Sequence, residues 1–172
     1  IPLSGEVVFI EEAVLLTKPA WTMLLHGSLL TGKGEQGLLA LPAAAFFASR
    51  QCSGVAIRAA MDWALQQARA KQAVVSGFHS PLEQSVLKVL LAAVSPVVVV
   101  LARPVAGVRL PPEWREALEN GNLAMVSKEA VARRLTQQLA IERNTLVAQL
   151  AQRIVVAHAS PAGALAAQMA LW

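Results

Sequence analysis

Short apolar runs alternate with helical patterns from Ala43 to the end of the chain. "AAAFFAS" (43–49), "AVVS" (73–76), "PVVVVLA" (96–102), "NLAMVS" (122–127) and "RIVVA" (153–157) are brief and rich in Val and Ala. Such runs predict strands buried on both faces, as in a parallel sheet covered by helices. Between the runs, "VAIRAAMDWALQQARA" (55–70) places Ile57, Ala60, Met61, Ala64, Leu65 and Ala68 on one side of a helix. "PLEQSVLKVLLAAV" (81–94) predicts a second helix. "PPEWREALENG" (111–121) predicts a short one, opened by proline and closed by glycine. "KEAVARRLTQQLAIERNTLVAQLAQ" (128–152) predicts a long helix broken near Ile141–Asn144, and "PAGALAAQMALW" (161–172) the last. Strands each followed by a helix imply right-handed crossovers. The expected fold class is α/β: a Rossmann-like three-layer sandwich around a mainly parallel sheet of five or more strands.

The first 42 residues break this rhythm. "GEVVFIEEAVLL" fits a strand or a short helix, "WTMLLHGSLL" a strand ending at Gly27, and "TGKGEQG" a glycine-rich loop. Residues 1–42 are expected to form an extension packed on the sheet edge, and residues 43–172 the Rossmann-like domain. "GSLLTGKGEQG" invites comparison with a phosphate loop. Gly27, Gly32 and Lys33 fit G-x-x-x-x-G-K-[ST], but Gly34 stands where a hydroxyl should bind magnesium.

Composition narrows the class. Hydrophobic residues make up 55% of 172 and charged residues 15%, so one domain with a full core is expected. An apolar surface resting on a partner is the other use of such a composition. No stretch reads as a membrane span: Val89 to Ala102 is short and interrupted by Pro96, and Ile154 to Trp172 contains His158, Pro161, Gly163 and Gln168. The start lacks the basic and apolar regions of a signal peptide. A single cysteine, Cys52, excludes an internal disulfide framework and points to a reducing, cytoplasmic setting. The net charge of +4 permits an anionic partner without demanding one. Basic residues concentrate at Lys128, Arg133, Arg134, Arg143 and Arg153, against Glu129 and Glu142; a solvated helix face explains such a run equally well.

In open parallel sheets ligands sit beyond the carboxyl ends of the strands. The loops there are "SRQCSG" (49–54), "SGFHSP" (76–81), "RPVAGVRLPP" (103–112), "SKE" (127–129) and "HASPAG" (158–163). The first opens a helix whose backbone N–H groups could hold a phosphate, with Arg50 adding charge. In the second, Ser80-Pro81-Leu82-Glu83 is a capping box, so Glu83 already has a structural task beside any acid/base role. His79 has no second histidine or cysteine nearby, which argues against a metal. Cys52 would be nucleophilic only with a lowered pKa, and no neighbouring histidine activates it.

Three segments together resemble the DNA-processing protein DprA (Smf) family of the SLOG group: "ASRQCSG" (48–54), "VVSGFHSPLE" (74–83) and "ERNTLVAQLAQRIVVAHASPAGAL" (142–165). The family pattern runs G-S-R, then S-G-L-A-x-G-I-D, then R-N-x-x-I-A-x-L before V-V-V-E-A and S-G-S-L. "PAWTMLLHGSLL" (19–30) is similar to its lead-in segment. The resemblance spans Pro19 to Leu165 and rests on order and spacing. It places Ser49, Arg50, Ser53, Gly54, Ser76, Gly77, Arg143, Asn144 and Gly163 on motif positions, with Arg143 near the ligand crevice. Phe78, His79, Ser127 and Lys128 join them from the same loops as candidate ligand residues. The implied ligand is single-stranded DNA or a nucleotide phosphate. The family also implies a further strand beyond Trp172. Departures are visible. Ala48 replaces the first glycine, Phe78 and His79 replace smaller residues, Pro81 replaces glycine, Glu83 replaces aspartate, His158 replaces an acid and Ala162 a serine. The P-G-G-x-G-T motif of the related phosphoribohydrolases is absent.

Three functions follow. The favoured one is a DprA-like binding protein for single-stranded DNA or nucleotides, without chemistry and without a required cofactor, forming a homo-oligomer. It asks Arg50, Arg103, Arg109, Lys128 and Arg143 to converge and offers Phe78 as the loop aromatic for stacking. The second is an enzyme acting on a nucleotide or nucleotide sugar, with Glu83 as acid/base and residues 49–54 as phosphate cradle. The third is an interaction protein that kept the fold and lost the ligand. In the first two readings the ligand is expected between the 49–54 and 127–129 loops.

Overall fold

Val-only and Ala/Phe strands that need cover on both faces receive it. The computed structural model describes residues 20–172; "GEVVFIEEAVLL" lies outside them. The elements are β1 (Trp21–Leu25), β2 (Ser28–Gly34), a 3-10 turn (Gln36–Ala40), β3 (Ala43–Ala48), α1 (Gly54–Ala70), β4 (Ala73–Ser76), α2 (Pro81–Ala92), β5 (Val97–Val100), α3 (Pro112–Asn120), β6 (Leu123–Ser127), α4 (Gln137–Leu150), β7 (Arg153–His158) and α5 (Ala164–Met169). They build one seven-stranded sheet in the order β1-β2-β6-β5-β4-β3-β7. β3 to β7 are mutually parallel, and β1 and β2 add on antiparallel. The chain is therefore α/β and Rossmann-like, as its alternation predicts.

Strands β3 to β7 alternate their side chains between two cores. Phe46, Val74, Val97, Val99, Leu123 and Met125 pack under α1, α2 and α3, where the Phe46 ring stacks on Trp63 at 5.2 Å. Ala45, Phe47, Val75, Val98, Val100 and Val126 face the other way, against Leu146 and Val147 of α4. At about 25 cal/mol per Å² of apolar surface buried, these two layers supply the main folding drive. Helix boundaries follow local chemistry. Ser80 and Glu83 form the reciprocal capping box of α2, and Gly121 closes α3 in the left-handed region.

Three readings of the sequence are revised. The strand expected to end at Gly27 ends at Leu25, and His26 and Gly27, both at positive φ, turn a hairpin into a second strand. The "TGKGEQG" loop is instead strand β2 leading into the 3-10 turn. Gly32 pairs with Trp21, whose indole occupies the space a Cβ would fill, and the Trp21 Nε1–H donates to the Gly34 carbonyl at 3.0 Å. Finally, 128–136 is not helical. The Ser127 hydroxyl accepts from the Glu129 N–H at 3.0 Å, drawing the chain into a turn, and Thr136 caps a helix that starts only at Gln137. That helix runs unbroken through Ile141–Asn144.

Candidate functional site

The strand order decides where a ligand can sit. β3 and β6 are separated by β4 and β5, so the 49–54 and 127–129 loops do not flank one crevice. The order reverses between β3 and β7, but that gap is laced shut. Ser49 N–H donates to the His158 carbonyl and the Ser160 N–H to the Ser49 hydroxyl, each at 2.8 Å. Open space lies instead over the end of β4, where α4 returns across the sheet.

There Arg143 dominates. It is 9% exposed, yet among the described residues it makes no ion pair within 4.0 Å. Its side chain lies on Gly77. A Cβ at that glycine would stand 2.6 Å from the Arg143 Nε, so glycine is required for the close approach. Its side-chain hydrogen-bond acceptor is the Asn144 Oδ1, at 3.4 Å from Nε and 3.3 Å from Nη2. Burial pulls the guanidinium below its usual pKa, and the Glu83 carboxylate offsets part of that shift. A desolvated cation without an acid partner is costly to keep, and an incoming anion would relieve the cost.

Two clefts meet at Arg143 and His79. The first, about 430 Å³, is lined by Ala48, Arg50, His79, Glu83, Arg143 and Asn144 among others. The second, about 590 Å³, takes in Gly77, His79, Arg103, Arg133, Arg134 and Arg143. His79 is exposed between them, and its pKa falls below the ordinary 6.5 through desolvation and then the Arg143 charge; Glu83 pulls it up and Arg50 down.

The other expected residues are placed as follows. Glu83, 7% exposed, accepts the Ala48, His79 and Ser80 N–H groups, each at 3.0 Å. Its carboxylate thereby pins the end of β3 to the start of α2. Ser53 caps α1 through the Ala56 N–H at 3.1 Å, Ser76 accepts from the Phe78 N–H at 3.1 Å, and both Ser76 and Ser127 are fully buried. Phe78 adopts φ 46° and sends its ring into the core under α2, 4% exposed, so it offers no open stacking face. Lys128 lies 3.6 Å from Glu142 and lines neither cleft. Gly54 is exposed at the start of α1, Gly163 caps α5, and neither lines a cleft; Arg109 is likewise outside both. Burial, with a contribution from Glu83, pushes the Cys52 thiol up, against a nucleophilic role. The 103 and 133–134 arginines of the second cleft belong to loops whose convergence depends on strand order.

A Rossmann-like sheet with a basic, cleft-bearing carboxyl edge thus defines the class. Within it, the family model for DNA recombination-mediator protein A matches residues 22–171, and the chain belongs to that family. No curated protein matches the chain. Among solved structures, DNA processing protein A (DprA) of Streptococcus pneumoniae superposes with a TM-score of 0.63 at 17% identity, over 89% of this chain and 62% of that one. DNA processing protein A of Helicobacter pylori, described in its single-stranded DNA binding mode, gives a TM-score of 0.63 at 15% identity, over 82% of this chain and 70% of that one. The chain thus spans under two thirds of the Streptococcus protein.

Proposed function

We propose that this chain binds single-stranded DNA, without chemistry, along the carboxyl edge of its sheet. Arg143 would receive a backbone phosphate, with Arg50 on one side and Arg103, Arg133 and Arg134 on the other. The observation that carries this reading is Arg143 itself, buried on Gly77 with no carboxylate at ion-pairing distance among the described residues. Family membership adds support, as does the single-stranded DNA binding of the Helicobacter relative. A free nucleotide presents the same phosphate chemistry and is the smaller ligand of the same site. The hydrolytic reading draws little from the geometry, because Glu83 spends its carboxylate oxygens on three backbone N–H groups.

Association into a homo-oligomer finds support in exposed apolar side chains on both sheet edges, Leu24 and Leu29 on the hairpin and Ile154 on β7. A reducing, cytoplasmic setting fits a lone thiol, and no helix among the described residues is long and apolar enough to cross a membrane.

The test is fluorescence anisotropy with a labelled oligothymidylate across a salt series. Affinity should fall steeply with salt, and Arg143→Ala should weaken binding about ten- to hundred-fold. Binding that is absent, or indifferent to salt, would sink the proposal.

A further inference from the structure

A buried arginine that must meet a phosphate has to be held without being neutralised. A carboxylate partner would hold Arg143 but would compete with the phosphate for the same fork of donors. The structure uses neutral amides instead. Asn144 Oδ1 accepts from Arg143, and Asn144 Nδ2 donates to Gln168 Oε1 at 3.2 Å. Gln168 Nε2 in turn donates to the Ile141 carbonyl at 3.0 Å and reaches the Thr145 hydroxyl at 3.5 Å. Gln168 sits on α5 and is 5% exposed.

Both ends of this relay fix its sense. The Ile141 carbonyl only accepts, so the Gln168 NH₂ must face it and Gln168 Oε1 must face Asn144. That takes the Asn144 NH₂, which leaves Asn144 Oδ1 for Arg143, a group that only donates. Remove the Gln168 amide, and the Asn144 amide is free to turn its NH₂ toward the guanidinium.

We propose that Gln168 is a positioning residue that orients Arg143 for phosphate through Asn144. The inference rests on the reading of Arg143 as the phosphate contact. It brings into the site a residue from the last helix that touches neither cleft.

A double-mutant cycle on the whole chain tests it, using Gln168→Met, Arg143→Ala and the pair, with oligothymidylate anisotropy as readout. Gln168→Met should weaken binding about three- to ten-fold, the weight of one lost hydrogen bond. In the Arg143→Ala background the same substitution should cost less than about two-fold, because nothing remains to be positioned. In the DNA-free protein, the Arg143 Nε–Hε NMR signal should shift and sharpen in Gln168→Met as the side chain gains freedom. Should Gln168→Met fail to fold, Gln168→Leu also removes the amide and gives the same cycle. Equal losses with and without Arg143, or an unchanged Arg143 Nε signal, would overturn the relay. Absent wild-type binding, or an Arg143→Ala variant that binds like wild type, would overturn the DNA reading instead.

Discussion

Gly77→Ala isolates the placement of Arg143 from its presence. A methyl group there would stand 2.6 Å from the Arg143 Nε, 2.9 Å from Cδ and 3.1 Å from Cζ. Ordinary contact begins near 3.4 Å, so the guanidinium must retreat by about 1 Å. The obstacle is a side chain and not backbone, and Gly77 is not in the left-handed region. The fold should therefore tolerate alanine. Reduced freedom of the unfolded chain contributes about 0.4–1 kcal/mol in its favour, against a similar cost for moving a packed arginine. Binding is a different matter. A charge-assisted hydrogen bond is worth about 1.5–3 kcal/mol, and a 1 Å displacement forfeits most of it. The expected loss is about ten- to hundred-fold in affinity for oligothymidylate, with Tm within about 4 °C of wild type. Anisotropy and a thermal melt read the two quantities separately. Binding by Gly77→Ala within about two-fold of wild type would refute this role of Gly77. So would an equal cost of the substitution in an Arg143→Ala background, where there is no guanidinium to displace.

Three further outcomes follow from the same geometry. Glu83→Gln keeps acceptor capacity for the His79 and Ser80 N–H groups but turns an NH₂ toward the Ala48 N–H; it should cost about 1–3 kcal/mol, and an unchanged denaturant midpoint would contradict the structural role. His79 has a depressed pKa when folded, so the unfolded chain takes up its proton first. Stability should therefore decline as pH falls through the ordinary value of 6.5 and below, and His79→Gln should flatten that decline; identical pH profiles would refute the assignment. The groups acting on His79 are Arg143 and Arg50, which disfavour its charge, and Glu83, which favours it. Arg134→Ala should lower the salt dependence of DNA binding by about one phosphate equivalent, because Arg134 lines the second cleft and forms no ion pair among the described residues. A salt slope equal to wild type would remove Arg134 from the interface.

The parts of the fold legible in the sequence are those fixed by neighbours along the chain. Val97–Val100 admits no reading but a strand covered on both faces, and all four residues are buried. The Ser80–Glu83 box declares a helix start that the hydrogen bonds reproduce. The errors arise where distant residues decide. Gly32 and Gly34 look like loop residues until Trp21 lies across them from the neighbouring strand. The exception is local: residues 128–136 have helical composition, but the neighbouring Ser127 hydroxyl and the Thr136 cap settle where α4 begins.

The same division governs the site. Motif order drew attention to Gly77 and Arg143 separately, but only the sheet order brings them into contact and separates the 49–54 and 127–129 loops. Phe78, at φ 46°, turns its ring into the core, so a bulky residue beside Gly77 does not block the surface on which Arg143 lies. Pro81 and Glu83 are absorbed by the helix start. The loop has changed its side chains and kept what the guanidinium needs, a glycine surface at the end of β4. Of the amides behind that guanidinium, Asn144 on α4 is marked by the R-N motif, but Gln168 on α5 is marked by no local pattern.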